Sequence, residues 1–342
     1  MQSGAVGDFA LVTGGAGFVG KALVRALLEQ GTKVRVLDLD DPHDDDIKIS
    51  DIEFVKGSIT NPATAKAACH NITIVYHLAG NAQLWSKDPT QFDVINHIGT
   101  QTIFQAAREQ NVKTFLHCSS LTTLVGKDTI IGHSNADETT QLPYEAMLGP
   151  YPKSKWRAEK FVLDNAPSDM RAMVAIPTEP LGAGDVNVTP PTQMILDFVN
   201  GKTPASIECL LNFVPVDDLA RGLIAMNDRG KTNERYILGG ENVPMATLLE
   251  TLSRITETPM PKLQLPYWVA LTAGFFDTKL VSSITQKPPK APLTGVRLAG
   301  RKVAFQSDKA RIDLGWQASP FDGALKEMLN WARTQGHIKK TP

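Results

Sequence analysis

The feature that most constrains the fold is a glycine turn between an apolar run and a helical pattern near the start of the chain. The run from Phe9 to Val12 has the length of a buried strand, and Gly14, Gly17 and Gly20 follow it. Apolar residues then recur at helical spacing up to Gly31, where a left-handed helix end is expected. Strand, glycine turn and helix in this order are the context in which a glycine fingerprint indicates a dinucleotide site.

Each part of this turn has a separable chemical role. A tight turn requires backbone angles that glycine adopts without strain, and a pyrophosphate approaches the main chain only where no Cβ intervenes. The helix N-terminus supplies free N–H groups and a partial positive charge. We therefore expect the pyrophosphate to be held by the turn and the first helical residues, which are Gly14, Gly17, Phe18, Val19 and Gly20.

A second strand-like run, Lys33 to Asp38, ends in an acid about 20 residues beyond the glycines, where a carboxylate can accept hydrogen bonds from ribose hydroxyls. No Lys or Arg lies between Asp38 and Ile47, so this corner would repel a 2′-phosphate, and NAD is predicted over NADP. Consecutive rather than alternating acids favour a solvated loop over a metal site, and no metal is predicted. The acids of this run, around His43, are Asp40, Asp41, Asp44, Asp45 and Asp46.

Short strands and helices alternate through the first half of the chain. This alternation predicts a doubly wound α/β fold with a parallel sheet, whose active groups collect at the carboxyl ends of the strands. His77 and His117 fall within strands and are predicted to be core residues. The further strands are predicted at Ile52–Val55, Ile72–Gly80 and Lys113–Ser120, and a long helix at Pro89–Gln110.

Tyr151 and Lys155 are four residues apart at the start of a helical pattern, so they share one face of that helix. A free tyrosine holds its proton too tightly to act near pH 7. An adjacent ammonium favours the phenolate, so we expect Lys155 to lower the pKa of Tyr151. Ser120, at the end of a predicted strand, can share a carbonyl oxygen with the tyrosine. The three residues predict acid–base chemistry at a carbonyl or carbinol.

Composition narrows the class of partner. The chain has 342 residues, is 42% hydrophobic and 21% charged, and has a net charge of −1. These values are ordinary for a globular protein, and the net charge indicates no field that would attract nucleic acid or a membrane. Three cysteines without framework spacing fit a reducing compartment, and residues 1–8 lack the pattern of a signal peptide, so a cytoplasmic location is expected.

One apolar segment, Leu265 to Phe276, is too short for a membrane-spanning helix and stops at Asp277. We expect no transmembrane segment. The segment is predicted to be a helix that packs in the core of a smaller lobe. The alternative is a surface helix that contacts an apolar substrate or the edge of a bilayer.

The sequence resembles the extended short-chain dehydrogenase/reductase superfamily, also called the NAD-dependent epimerase/dehydratase family, over essentially the whole chain. Within it, the C-terminal third is similar to a branch of dihydroflavonol-reductase-like and 3β-hydroxysteroid-dehydrogenase-like proteins and hopanoid-associated sugar epimerases. The motifs that carry the resemblance are Thr13–Gly20, Asp38, His77–Gly80, Asn96 with Gly99–Thr100, Ser119–Ser120, Tyr151 and Lys155, Pro177–Thr178, Val214–Ala220, Tyr236–Asn242, Ala291–Thr294 and Lys309–Trp316.

The resemblance implies a Rossmann-type sheet with a smaller C-terminal α/β substrate lobe. The NAD-binding domain would comprise residues 1–185 and about 213–240, and the lobe about 186–212 and 241–342. Ser120, Tyr151 and Lys155 would be catalytic. Homodimers would form through the helices at Pro89–Gln110 and Tyr151–Asn165. The remaining cofactor contacts would come from Leu78, Ala79, Gly80, Asn96, Pro177 and Thr178.

Two departures from the family pattern affect individual residues. An acid that usually contacts adenine is replaced by Ser58. The spacing between Ser120 and Gly126 is one residue longer than in the similar sugar-epimerase group, which leaves Ser119 or Thr122 as possible stand-ins for Ser120.

Three functions are compatible with these residues. The preferred one interconverts a ketone and a secondary alcohol on a largely apolar small molecule, with NAD or NADH as cofactor. It is preferred because the run from Cys209 to Phe213 carries no arginine to clamp a diphosphate. The alternatives are an NAD-retaining epimerase or dehydratase acting on a nucleotide sugar, and a non-catalytic NAD-binding protein. Candidate substrate contacts are Trp85, Thr122, Asn187 and Phe213.

Overall fold

The computed structural model describes residues 8–42, 47–132 and 134–338. Residues 1–7 and most of the acidic run, 43–46, lie outside this range, so the predictions made for them are untested. The strands are β1 Phe9–Thr13, β2 Lys33–Asp38, β3 Glu53–Lys56, β4 Ile74–His77, β5 Thr114–Cys118, β6 Ser134–Ala136, β7 Arg171–Pro177, β8 Glu179–Leu181, β9 Ala205–Ile207, β10 Leu210–Pro215, β11 Arg235–Leu238, β12 Glu241–Pro244, β13 Leu263–Leu265 and β14 Val303–Phe305.

Seven of these strands form a central sheet in the order β11-β7-β5-β4-β1-β2-β3. Every pairing between neighbours in it is parallel. The strand order reverses between β1 and β4, and in open α/β sheets ligands bind outside the carboxyl ends of the strands at such a switch point. The predicted doubly wound, Rossmann-type fold is confirmed.

Helices cover both faces of the sheet and build the C-terminal lobe. The α-helices are α1 Phe18–Glu29, α2 Pro62–Cys69, α3 Thr90–Phe92, α4 Gly99–Glu109, α5 Pro150–Asn165, α6 Pro190–Val199, α7 Val216–Arg229, α8 Met245–Thr256, α9 Tyr267–Phe276, α10 Ser282–Thr285, α11 Leu293–Ala299 and α12 Phe321–Thr334. The long helix expected at Pro89–Gln110 is present, but a π-helical segment, Asp93–Ile98, joins α3 to α4.

Two apolar cores, one on each face of the central sheet, hold these layers together because alternate side chains of a strand point to opposite faces. In β1, Leu11 belongs to the core that also contains Ile103 and Phe104 of α4. Its neighbour Val12 belongs to the other core, with Leu23 of α1. His77 and His117 are buried within their strands, as predicted.

The C-terminal lobe is built on a three-stranded sheet in the order β12-β10-β8. Its own core contains residues of α6, α8 and α12, and the ring of Phe213 on β10 stacks on Phe321. The chain returns from β10 through α7 to β11 at the edge of the central sheet. The strands and helices of the central sheet and of the lobe are given above; the residue boundaries of the two domains stay a prediction.

The prediction that Leu265–Phe276 packs in the core of the lobe is wrong. The segment does form a helix, α9, but only Ala270 and Gly274 on it are buried, and the large side chains of Trp268, Phe275 and Phe276 are exposed. Small residues therefore make the packed side of α9, and large apolar residues make its outer side. Among the described residues, no helix combines the length and apolar character needed to cross a membrane.

Candidate active site

The glycine turn after β1 is folded so tightly that side chains are excluded from it. Gly14 has φ +74°, and a Cβ on it would lie 2.7 Å from the amide nitrogen of Ala79. A Cβ on Gly20 would lie 2.0 Å from the carbonyl oxygen of Gly14. Gly17 is the N-cap of α1 and has no capping side chain, so the first amides of the helix stay available to an anion. This cradle fits the pyrophosphate of a dinucleotide.

Asp38 ends β2 beside this turn, as the spacing predicts. Its Oδ2 accepts a hydrogen bond from Ala16 N at 2.9 Å, and its Oδ1 accepts one from Leu39 N at 2.7 Å. The carboxylate is therefore held at the mouth of the turn, where an adenosine ribose would lie. Ser58 follows β3, the strand next to β2 at the edge of the sheet. Its hydroxyl lies 2.8 Å from the Thr60 hydroxyl, so it is hydrogen-bonded within the turn after β3.

The end of β4 lies against the turn through a buried polar chain. Thr13 Oγ1 accepts a hydrogen bond from Ala79 N at 3.2 Å and lies 2.7 Å from Nδ1 of His77. Nε2 of His77 lies 2.9 Å from the Thr100 hydroxyl. Burial lowers the pKa of His77 to about 3, so the ring is neutral and serves to position Leu78 and Ala79.

Tyr151 and Ser120 meet at the carboxyl ends of β5 and β7, and both are buried. Ser120 Oγ accepts hydrogen bonds from the backbone N and the hydroxyl of Thr122, at 3.3 and 3.1 Å. It also lies close enough to the tyrosine hydroxyl to lower its pKa. The ring of Phe92 packs edge-on against Tyr151 with centroids 6.0 Å apart. These contacts fix the direction of the tyrosine hydroxyl.

Lys155 lies one turn after Tyr151 on α5 and is buried. Its Nζ donates a hydrogen bond to the carbonyl oxygen of Cys118 at 2.9 Å. A Cβ added to Gly80 would lie 3.3 Å from Nζ and 2.9 Å from Oδ1 of Asn96. The ammonium therefore lies between the end of β5 and the backbone that follows β4.

The expectation that Lys155 lowers the pKa of Tyr151 is not met in this structure. Burial raises the pKa of Tyr151 to about 12, against a smaller lowering from Ser120. The ammonium is occupied by the Cys118 carbonyl, and burial lowers its own pKa. Tyr151 is therefore fully protonated at neutral pH, which suits a proton donor.

A buried network behind the site was missed in the sequence. Glu159, one turn after Lys155, pairs with Arg235 of β11 at 2.9 Å. Its Oε2 accepts hydrogen bonds from the hydroxyls of Ser119 and Thr123, at 2.6 and 3.1 Å. Because this bond turns Ser119 into the network, the structure brings Ser120, and not Ser119, to Tyr151. The signal was the continuation of the Tyr151–Lys155 spacing to an acid four residues further on.

Asn96 lies in the π-helical segment and joins three parts of the site. Its Oδ1 accepts a hydrogen bond from Asn81 N at 2.7 Å. Its Nδ2 donates to the Asn81 carbonyl at 3.0 Å and to Oγ of Ser154 on α5 at 2.9 Å. The amide thus ties the backbone after β4 to the helix that carries Tyr151 and Lys155.

Thr178 follows Pro177 at the end of β7 and is buried at the same edge of the sheet. Its hydroxyl makes no hydrogen bond within the described residues. An unsatisfied buried hydroxyl is costly, and a carboxamide placed there would satisfy it. With the glycine cradle and Asp38, this orphan hydroxyl gives the edge groups that fit a nicotinamide dinucleotide at its pyrophosphate, ribose and carboxamide.

The four candidate substrate contacts are spread apart. Thr122 is buried against Ser120, Trp85 is half-buried on the loop after β4, and Asn187 is exposed after β8. Phe213 is fully buried in the core of the C-terminal lobe. The structure therefore gives Phe213 a packing role, because its strand turns the ring into the lobe rather than to the sheet edge.

A cavity of about 450 Å³ opens beside the segment that leads into Tyr151. Met147 and Leu148 line one side of it, and Tyr267 and Leu271 of α9 line the other. Arg301 also borders it, but its guanidinium donates to the carbonyls of Gly126 and Lys127. The remaining residues that line the cavity are Lys127, Ile131 and Arg297. Its walls are mostly apolar.

Comparison with known proteins agrees with this geometry. The model of the NAD dependent epimerase/dehydratase family matches residues 10–239. A putative dihydroflavonol 4-reductase from Synechocystis sp. is 32% identical, over 98% of this chain and 97% of its own. Sterol demethylase protein B from Methylococcus capsulatus is 27% identical, over 96% and 99%. The crystal structure of gox2253 superposes with a TM-score of 0.84 at 32% identity, covering 97% of this chain and all of that one.

Proposed function

The chain belongs to the NAD dependent epimerase/dehydratase family, and from this premise we propose that it is an NADH-dependent reductase of an apolar ketone. The observation that carries the proposal is the buried, protonated Tyr151 beside Ser120, at the sheet edge that carries the glycine cradle. The same residues would serve the reverse oxidation of the secondary alcohol. Bound NADH supplies a hydride; every other part of the reaction is assigned to this chain's own residues.

In the proposed reaction Ser120 and Tyr151 hold the carbonyl oxygen of the ketone between their hydroxyls. As charge develops on that oxygen, Tyr151 transfers its proton to it, and Ser120 orients it. In the structure the ammonium of Lys155 donates to the Cys118 carbonyl, so its proposed role, to stabilise the phenolate that remains, requires it to turn toward the tyrosine one helical turn before it. Burial of both residues excludes water, which strengthens these interactions.

The substrate class is proposed from the cavity next to the segment that precedes Tyr151. Met147, Leu148 and Leu271 give it apolar surface, and Lys127 and Arg297 also line it; elsewhere in the lobe, the run from Cys209 to Phe213 carries no charge. Such walls favour an aliphatic, aromatic or polycyclic ketone over a sugar diphosphate. The names of two relatives, which refer to a dihydroflavonol and a sterol, support the same class.

A panel of substrates followed by NADH absorbance tests this proposal. Purified protein is expected to consume NADH with apolar ketones and to lack tightly held NAD. Nucleotide sugars are tested in parallel as the second class of substrate. Copurified NAD together with epimerisation of a nucleotide sugar, and no reduction of any ketone, would establish the epimerase instead.

The preference for NAD over NADP is proposed from Asp38. Its carboxylate is fixed at the turn by Ala16 N and would repel a 2′-phosphate. Asp38→Ala is expected to weaken NADH binding roughly tenfold, which corresponds to the loss of about one charged hydrogen bond. It should also reduce the difference in affinity between NADH and NADPH. Fluorescence titration with both nucleotides measures this. Unchanged affinities for both would contradict the assignment.

A further inference from the structure

The strongest feature that the proposed reaction leaves unused is a line of exposed apolar side chains on the helix from Tyr267 to Thr285. This helix comprises α9, a π-helical segment Asp277–Val281 and α10. We call the line the apolar stripe. Its members and their exposed fractions are Trp268 69%, Phe275 47%, Phe276 52%, Leu280 51%, Val281 50% and Ile284 81%.

The large side chains of the stripe lie away from the packed side of the helix. A step of four residues advances by about 40° around an α-helix, and the wider turn of the π-helical segment Asp277–Val281 offsets this drift, so Phe276, Leu280 and Ile284 keep to similar directions. The opposite side is where Ala270 and Gly274 pack; a Cβ on Gly274 would lie 3.2 Å from Val296 of α11. Large apolar side chains exposed together on one surface mark an interaction surface, whereas single apolar residues exposed at scattered positions are ordinary.

The charge around the stripe is strongly one-sided. Residues 258–300 contain a single acid, Asp277, in a chain whose net charge is −1. That acid is turned back into the lobe, where Oδ2 accepts a hydrogen bond from Ala291 N at 3.1 Å. The cations of the same segment are all exposed; they are Lys262, Lys279, Lys287, Lys290 and Arg297.

We propose that the apolar stripe docks the protein on the surface of an anionic lipid bilayer. Aromatic and aliphatic side chains would enter the headgroup region, and the surrounding cations would pair with lipid phosphates. Asp277 and Lys279 interrupt the middle of the helix, so the helix lies on the bilayer rather than through it. A second copy of the chain is a poorer occupant, because a two-fold interface would bring the same cations together.

Docking of this kind would place the cavity lined by Met147 and Leu148 near the bilayer. Leu271 of α9 lines that cavity and also a second one, of about 280 Å³, whose wall includes Phe275 of the stripe. Apolar molecules dissolved in the bilayer would then be close to the cavity. The docking itself does not depend on the reductase proposal, and its test uses no measurement of activity.

Sedimentation with vesicles tests the proposal directly. We expect the full chain to sediment with vesicles of about one-third phosphatidylglycerol in phosphatidylcholine, and far less with phosphatidylcholine alone. Phe276→Ser and the double variant Lys279→Glu/Lys287→Glu should each reduce binding roughly tenfold or more, since each Lys near an anionic surface contributes about 1 kcal/mol. Ile312→Ser and Lys326→Glu, exposed positions outside the stripe, are the matched controls and should bind as wild type.

Brominated lipids distinguish insertion from loose adsorption. Trp268 should be quenched by bromines on the acyl chains, and Trp268→Phe should remove that quenching while binding persists. Failure of the wild type to bind, or equal binding by the stripe variants and their controls, overturns the proposal. So does sedimentation velocity without lipid that shows a dimer lost only in Phe276→Ser, because the stripe would then join two copies of the chain.

Discussion

The residue that decides the proposed chemistry is Tyr151, because its buried hydroxyl lies within hydrogen-bonding reach of Ser120 after β5. Tyr151→Phe is expected to lower turnover by about 10²–10⁴, the usual worth of a positioned acid, while NADH binding is kept. Stopped-flow rates and fluorescence titration measure the two effects separately. Tyr144→Phe, a tyrosine that packs on Trp156, is the control and should turn over as wild type. Retained activity in Tyr151→Phe would place the acid elsewhere.

Glu179 provides a second test at the scale of one residue. Burial raises its pKa from 4.5 to about 7, although its Oε2 accepts a hydrogen bond from Asn212 N at 2.8 Å. The folded state therefore holds the proton more tightly than the unfolded chain. The contribution of Glu179 to stability should be fully present below about pH 4.5 and be lost as pH rises through about 7, by about 1 to 3 kcal/mol.

Glu179→Gln should remove this decline, so the variant is expected to be more stable than wild type above pH 7 and similar to it near pH 4.5. Urea unfolding at a series of pH values measures the free energy of unfolding. Glu327→Gln, an exposed change on α12, should keep the wild-type slope. The same slope in Glu179→Gln would contradict the assignment.

Motif spacing predicted the relative positions of two residues where both lie on the same helix or in the same turn. The spacing placed Tyr151 and Lys155 on one face of α5, and the glycines predicted the turn. It did not predict the pKa of Tyr151, because that value depends on burial by Phe92 and on the carbonyl of Cys118 taking the ammonium. Those contacts come from distant parts of the chain.

At the scale of elements, the Glu159–Arg235 pair fixes α5 against β11 and the end of β5. Glu159→Gln leaves a buried guanidinium without its counter-charge, so the free energy of unfolding should fall by about 3 kcal/mol. Chemical denaturation measures it. Asp164→Asn removes the exposed pair with Lys160 on the same helix and should cost less than about 1 kcal/mol. Equal losses in the two variants would show that the buried pair does not anchor the helix.

Two elements show where sequence patterns are ambiguous. The apolar run of α9 was interpreted as a core helix, but apolar content does not say which side of a helix is packed; here Ala270 and Gly274 form that side. The π-helical segment at Asp93–Ile98 was also unforeseen, because the apolar spacing there fits an ordinary helix. The extra backbone residue turns Asn96 toward Asn81 and Ser154.

For the whole molecule, the parallel direction of the central strands followed from the alternation of strands and helices. The C-terminal lobe did not, since its short strands β6, β9, β13 and β14 pair with partners far away in the chain. The substrate was not predictable from the sequence either, because segments far apart in the chain, around Lys127, Met147, Leu271 and Arg297, line the cavity.

At the scale of the whole molecule, we predict that two copies of the chain form a homodimer. Val94 and Ile98, each 40% exposed, lie on the helical segment that contacts α5, and Arg157 of α5 pairs with Asp93 there at 2.8 Å. We expect a dimer through these two helices. Ile98→Glu should give a monomer in sedimentation equilibrium, whereas Ile312→Ser should remain dimeric. A wild-type monomer, or a dimer that Ile98→Glu leaves intact, would contradict this interface.

The most direct test follows a labelled hydride. Protein incubated with NADH that carries deuterium at both C4 positions and an apolar ketone from the panel is expected to release NAD and an alcohol that carries one deuterium at the new carbinol carbon. Tyr151→Phe should give almost none of this product. A nucleotide sugar that is epimerised without taking up label, together with no labelled alcohol from any ketone, would contradict the account.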